Sequence, residues 1–277
     1  IHTVSGRIIG FGGRTLRSDY KERNIGKYVN SPQTEVYDKK TTLYGIYFAK
    51  SEIARRDRCI LVEGYLDVLS MHQLGITNVV ASSGTSLTVE QVSLIRKFTE
   101  NVTIMYDGDA AGIHAAERGI GLCLKGGLNV RVVLIPDGDD PDSFARKHTL
   151  EEVKSFIEEN ERDFISYRTD QLIGDAGSDP VRRSNLVNEI AGTLALIPDQ
   201  VKRAMYVQDV STKFNIDESL VYSKINDAVR AMREEERKEE MRRQRALEAG
   251  SQASAEGGIE DGEKPAGGDG NNAGGDA

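Results

Sequence analysis

The sequence predicts an α/β protein. Its centre reads as a doubly wound, mostly parallel sheet, with a basic α+β segment before it and a helical segment after it. One observation carries this expectation. Between residues 58 and 148, short β-branched runs bounded by turn residues alternate with helical patterns. Such alternation suits a layer of strand–helix–strand units with mostly right-handed crossovers.

Taken in order, residues 1–57 mix short strands, Gly-rich turns and a helix from about Leu43 to Arg56. Residues 58–148 then give strand 58–62, helix 65–74, strand 77–81, helix 88–97, strand 101–106, helix 110–125 and strand 129–135. Residues 149–248 read as all-helical, broken at Pro180, Pro198 and Asn215-Ile216-Asp217. The mixed run Arg233–Glu240 is a solvated helix held by charge pairs a turn apart. Residues 249–277 contain nine Gly, six Ala and one large aliphatic residue, Ile259. They bury too little to offset ordering entropy, so a flexible linker or tail is expected there.

The chain has 277 residues and is 38% apolar, enough for one large core or two smaller ones. It has no secretory signal and no run of about 18 apolar residues, so the sequence predicts a cytoplasmic protein with no membrane partner. It opens on Ile1-His2-Thr3-Val4 without Met, as an internal piece of a longer protein would. Cys59 and Cys123 lack a Cys-x-x-Cys neighbour and the four His are scattered, so buried free thiols and no zinc site are expected. The net charge of −8 is uneven. Residues 1–40 carry eight Lys/Arg against four Asp/Glu, and residues 249–277 carry six acids against one Lys. An acidic total therefore does not exclude a nucleic-acid partner.

Carboxylates collect where three strand runs end. Glu63 follows Cys59–Val62, Asp107 and Asp109 follow Val102–Tyr106, and Asp140 and Asp142 follow Val130–Pro136. Ligands of parallel sheets gather beyond the carboxyl ends of the strands. Clustered carboxylates repel one another unless a cation sits among them, so the pattern points to a divalent-metal site for phosphate chemistry. Asp67 follows Glu63 by four residues, about one helical turn. Each loop also has a plainer reading. Asp109 and Asp142 are both placed to cap the helix that follows, and Asp67 is placed as a helix-face acid. The Asp107–Arg118 stretch fails as an EF-hand, because its fifth and twelfth positions are Ala111 and Arg118. Gly10–Arg14 is a Gly-rich turn that does not match a dinucleotide-binding loop. Lys27–Thr34 is an extended pre-proline segment, and with Lys39 and Lys40 it offers cations to phosphates and Tyr28 to a base.

Together these residues resemble a known family. Val62-Glu63-Gly64-Tyr65-Leu66-Asp67, Ala81–Ser86, Tyr106–Gly112 and Pro136–Asp142 are similar, in order and spacing, to a Toprim domain. More narrowly they resemble the catalytic core of the DnaG-type bacterial DNA primases. Gly6–Arg14 and Lys27–Pro32 resemble that family's signatures upstream of its Toprim. The resemblance runs from about residue 4 to 148, and more loosely to about 225. It implies a nucleotidyltransferase that makes short RNA primers from ribonucleoside triphosphates on single-stranded DNA, acting as a monomer. It implies two or more Mg²⁺ or Mn²⁺ ions on Glu63, Asp107, Asp109, Asp140 and Asp142. Glu63, Asp67, Asp107 and Asp109 would be catalytic, with Glu63 open as either general base or ligand. Arg14, Lys27, Asn30 and Lys39 would hold the template–primer hybrid or the incoming nucleotide.

There are departures. The family's N-terminal zinc module has no counterpart here, and its basic N-terminal subdomain is only partly represented. Its helicase-binding end is expected to be missing, so helicase docking is expected only of a full-length protein. Alternatives remain within Toprim proteins, namely an OLD-type nuclease or a topoisomerase subunit, and outside catalysis, namely a DNA-binding scaffold.

Overall fold

Apolar side chains on both faces of four short strands decide the centre of this molecule. The computed structural model describes residues 1–15, 19, 28–82, 86–106, 110–136, 138–176 and 179–256. The chain first makes a small antiparallel ribbon from β1 (Gly12–Arg14) and β2 (Tyr28–Asn30). It continues as α1 (Ile46–Arg56), β3 (Cys59–Val62), α2 (Tyr65–Leu74), β4 (Val79–Ala81), α3 (Val89–Arg96) and β5 (Asn101–Tyr106). Next come α4 (Ala110–Lys125), β6 (Asn129–Leu134), α5 (Pro141–Lys147), α6 (Leu150–Asn160) and the two-residue β7 (Arg162–Asp163). Four helices follow: α7 (Phe164–Ala176), α8 (Pro180–Leu194), α9 (Gln200–Phe214) and α10 (Glu218–Glu256).

The main sheet has the order β4-β3-β5-β6-β7. The first four strands are parallel and β7 runs antiparallel to β6. Alternate residues of each strand enter opposite cores. Cys59, Leu61, Val80, Val102, Ile104, Val130 and Val132 face a core shared with α1, α3, α4 and the later helices. Ile60, Val62, Val79, Ala81, Met105 and Val133 face a second core with α2, α5 and α6. Helices cover most of both faces of the parallel strands, which is why their runs are largely apolar; Arg131 on β6 stays exposed. Cys59 and Cys123 are free and buried in the first core. Burial raises both thiols, Cys123 to about 12.

The contacts divide the chain into two units, Ile1–Val229 and Arg230–Ala277. In the second, the described residues are the distal turns of α10, polar and mostly exposed, with Lys238 beside Glu235 at 3.9 Å. No helix among the described residues is long and apolar enough to cross a membrane.

Four local expectations change. Gly12–Arg14 is a strand rather than part of a turn, because it has β2 to pair with. Helix α1 starts at Ile46 instead of Leu43: Tyr44 is tied to Ala81 by hydrogen bonds of 2.9 and 3.1 Å, and Gly45 turns the chain at φ +83°. The segment after residue 149 is not wholly helical, since β7 extends the sheet. Helix α10 runs to Glu256, beyond the point where a tail was expected, through an Ala-containing stretch that favours helix. Residues 257–277 lie outside the described residues.

β7 also brings a carboxylate to the sheet. Glu161, just before it, accepts from the buried Thr103 hydroxyl and from Arg131 at 3.0 Å, and stands 3.5 Å from Arg58 Nε. Residues preceding or on β3, β5 and β6 thus converge on one nearly buried side chain. Replacing Glu161 with Ala strands the Thr103 hydroxyl, so we expect a loss of about 1–3 kcal/mol. A lower urea midpoint with unchanged slope would register it.

Candidate active site

The sheet order locates the site. From β3 the chain moves to one side to form β4, then crosses back to the other side to form β5. The direction of winding therefore reverses between β3 and β5, and a crevice opens at their carboxyl ends. Glu63 follows β3 at that point and is exposed. Asp107 and Asp109 lie outside the described residues, between the end of β5 at Tyr106 and the start of α4 at Ala110.

The turn carrying Glu63 is held from within. Asp67, buried in the first turn of α2, accepts the Gly64 N–H through Oδ2 at 2.9 Å. The carboxylate also sits near the positive end of the helix dipole. Asp67 thereby fixes the backbone beside Glu63, a positioning role that its helical spacing only partly conveyed.

The third acidic loop is anchored more heavily. Asp140 is the N-cap of α5: it accepts the Ser143 N–H at 2.7 Å, and Ser143 Oγ accepts the Asp140 N–H at 3.0 Å. This corrects the expectation that Asp142 is the cap. Pro141, whose missing N–H costs nothing at the first helical position, sets the start one step earlier. Asp142 is only 5% exposed. It accepts from the Ser70 hydroxyl of α2 and pairs with Arg146 at 2.8 Å. Asp139 takes Ser143 Oγ at 2.8 Å and the Lys147 ammonium. Lys147, then Ser143, hold its carboxyl below the ordinary range. The Ser70–Asp142 bond joins the helix after Glu63 to the helix after Asp140, so the two acidic loops are braced against each other.

The basic residues reach the same edge by two routes. Asn30 lies opposite Gly12 in the ribbon. A Cβ on Gly12 would stand 3.0 Å from the Tyr65 ring and 3.3 Å from Asn30 Oδ1, so the ribbon rests directly on the residue after Gly64. Asn30 Oδ1 is buried with no hydrogen-bond partner among the described residues. Tyr65 packs edge-on against Tyr44, with centroids 4.5 Å apart. Burial first, and Tyr65 second, raise the Tyr44 phenol. Arg14 is exposed at the far end of β1, and Lys27 lies outside the described residues. The second route is the loop of Lys39 and Lys40. The Lys39 carbonyl accepts from Gln91 Nε2 at 3.1 Å and the Lys40 carbonyl from the Thr88 hydroxyl. Thr88 caps α3, which begins beyond the carboxyl end of β4, so both lysines stand on the edge where Glu63 emerges.

Among the described residues no three His, Cys, Asp or Glu side chains gather to hold a metal, and two of the five expected acids lie outside that set. The donor set itself is all carboxylate oxygen, the chemistry that suits a hard divalent cation. Sequence reading missed Tyr65, Ser70 and Gln91. A Thr-x-x-Gln capping pattern signalled Gln91, and Ser70 stands three residues from Asp67 on one helix; nothing local signalled the Tyr65 contact.

Fold and site together define a Toprim-like protein, and residues 60–145 match the family model described as Toprim-like. Residues 1–50 match the N-terminal domain of the DNA primase catalytic core, and residues 165–219 match the DnaB-helicase binding domain of primase. A DNA primase of Clostridium acetobutylicum is 38% identical over 228 residues, covering 82% of this chain and 37% of that protein. A DNA primase domain from Pseudomonas aeruginosa superposes with a TM-score of 0.73 at 31% identity, over 82% of this chain and 70% of that one. A DnaG primase catalytic domain solved with single-stranded DNA gives 0.68 at 34% identity, over 76% of this chain and 68% of that one. The chain belongs to the DnaG-type bacterial DNA primases, and it spans little more than a third of the length of the Clostridium relative. The match over 165–219 also corrects the expectation that nothing in this chain corresponds to a helicase-binding segment.

Two outcomes follow. Asp67→Ala removes the acceptor of the Gly64 N–H, and we expect a loss of about 1–2 kcal/mol, read by thermal melting. For Asp139 the folded value lies below that of the free carboxyl. Its contribution is therefore complete above the unfolded value and fades as pH falls through the folded one. Between about pH 6 and about pH 2, chemical denaturation should show a smaller drop in stability for Asp139→Asn than for the parent.

Proposed function

We propose that this chain carries the catalytic centre for DNA-templated synthesis of short RNA primers from ribonucleoside triphosphates, in the cytoplasm. The observation that carries this reading is the exposed Glu63 at the reversal point of the sheet, with the Asn30 ribbon resting on the next turn and the Lys39 loop on the same edge. The relative solved with single-stranded DNA supports a DNA template.

Glu63, Asp107, Asp109, Asp140 and Asp142 would hold Mg²⁺ or Mn²⁺. Such ions, when bound, stabilise the attacking 3′-oxygen and the departing pyrophosphate of an in-line displacement. The chain's own residues do the rest. Glu63 either ligates or takes the hydroxyl proton, and its exposure suits both roles. Asp67 keeps the Glu63 turn in place. Asp140 caps the third loop through Oδ1 to Ser143 and keeps Oδ2 for a ligand, while Asp142, with Oδ1 on Ser70 and Oδ2 on Arg146, would have to exchange one of these partners to ligate. Arg14, Lys27 and Lys39 neutralise phosphates of the hybrid or the incoming nucleotide, and Asn30 orients one of them. Residues 165–219 would contribute to docking the replicative helicase, a role that their match to a helicase-binding model supports.

The test is ribonucleotide incorporation on single-stranded DNA with Mg²⁺ or Mn²⁺. We expect metal-dependent RNA product, reduced by about 10²-fold or more in Glu63→Gln and in Asp109→Ala. Metal-dependent cutting of the DNA without RNA product would replace the primase reading with a nuclease.

A further inference from the structure

We propose a second ligand site, at the end of the main sheet opposite Glu63, which takes a nucleoside monophosphate. A pocket of about 230 Å³ opens at the amino ends of β3 and β4. Arg58 immediately precedes β3 and Asn78 immediately precedes β4, whereas Glu63 follows the other end of β3. The two sites are thus about one strand length apart, roughly 13 Å for four residues.

The lining has three chemical parts. Its floor is apolar, made by Ile60, Ile76 and Ile157. Its rim is cationic, with Arg56 and Lys154 against one acid, Glu158, while the charge of Arg58 is taken up by Glu161. Arg56 keeps net positive charge locally, because it shares one carboxylate, Glu52, with Arg55. Lys154 has no ion pair among the described residues.

The third part is an unused polar atom on Asn78. Asn78 is 2% exposed. Its Nδ2 donates to the Arg58 carbonyl at 2.9 Å, which fixes the amide orientation and turns Oδ1 the other way. Asn78 Oδ1 is buried without a hydrogen-bond partner among the described residues, whereas Arg58 Nε is ion-paired with Glu161 Oε1 at 3.5 Å. Buried polar side chains are nearly always satisfied. Here an acceptor is left over on a side chain that lines the pocket.

The ligand that answers all three parts carries an anionic group for the rim, an N–H or O–H for Asn78 Oδ1, and an apolar face for the isoleucines. A nucleoside monophosphate has them: phosphate, ribose hydroxyl or base amine, and the faces of ribose and base. Inorganic phosphate lacks the apolar face, and a nucleoside lacks the anion.

The experiment is calorimetric titration of the full chain with AMP in the absence of divalent ions, with adenosine and inorganic phosphate as comparisons. We expect saturable AMP binding, at least about tenfold tighter than either comparison. Lys154→Glu and Arg56→Ala, each checked for an unchanged melt, should weaken it by about tenfold. Glu63→Gln should leave it unaltered. Absence of saturation, equal affinity in Lys154→Glu, or loss of binding in Glu63→Gln would overturn the proposal. Displacement of AMP by a single-stranded oligonucleotide would also overturn it, assigning the rim to nucleic acid.

Discussion

Four parallel strands buried over most of both faces constrain everything else in this chain. A strand with helices over each side has no room for an unpaired polar side chain along its length. On β5 the buried Thr103 hydroxyl needs a partner, and Glu161 is brought in to satisfy it. Polar chemistry must therefore leave the sheet at its ends. At the carboxyl ends, the reversal of winding between β3 and β5 separates the flanking helices and makes room for Glu63. At the amino ends, Arg58 and Asn78 line a second opening.

The acidic loops at the carboxyl end of the sheet must each be held in place. Here most of the described acids are held by donors of their own. Asp67 takes the Gly64 N–H, Asp140 the Ser143 N–H, Asp142 Ser70 and Arg146, and Asp139 Lys147. These bonds serve the loops before they serve a ligand, because each fixes a helix start at the edge of the sheet. Ser70–Asp142 matters most among them, since it makes the spacing of two loops a property of how α2 and α5 pack. Glu63 differs from these acids in being exposed at the reversal point. That separation of roles, acids held by their own donors and one acid presented, is what pre-organisation of a charged site requires.

The basic segment is fitted to this edge by aromatic contact. Gly12 admits the Tyr65 ring, Tyr65 meets Tyr44, and Tyr44 is bonded to the end of β4. The ribbon and the acidic turn are consequently one packed assembly. On the other face, helices α7, α8 and α9, which include the segment matching a helicase-binding model, share the core of α1, α3 and α4. A partner pulling on that segment would act on a core continuous with the sheet.

Much of this was legible in the sequence because it is local. The runs Cys59–Val62, Asn101–Tyr106 and Asn129–Leu134 and the helices Tyr65–Leu74 and Ala110–Lys125 declare themselves by β-branching, period and flanking turn residues. Strand ends followed by acids were visible for the same reason. What the chain alone left undecided depends on residues far apart. β7 is two residues long and exists because β6 offers an edge. The ribbon strand at Gly12 needs Tyr28–Asn30, and the choice of Asp140 over Asp142 as cap came from geometry at a proline. Ser70 has no meaning as a site residue until α5 lies against α2, and Asn78 none until α6 closes over the amino ends. Periodicity is written within a few residues and can be read there. Pairing between side chains on separate elements is set only when the layers pack.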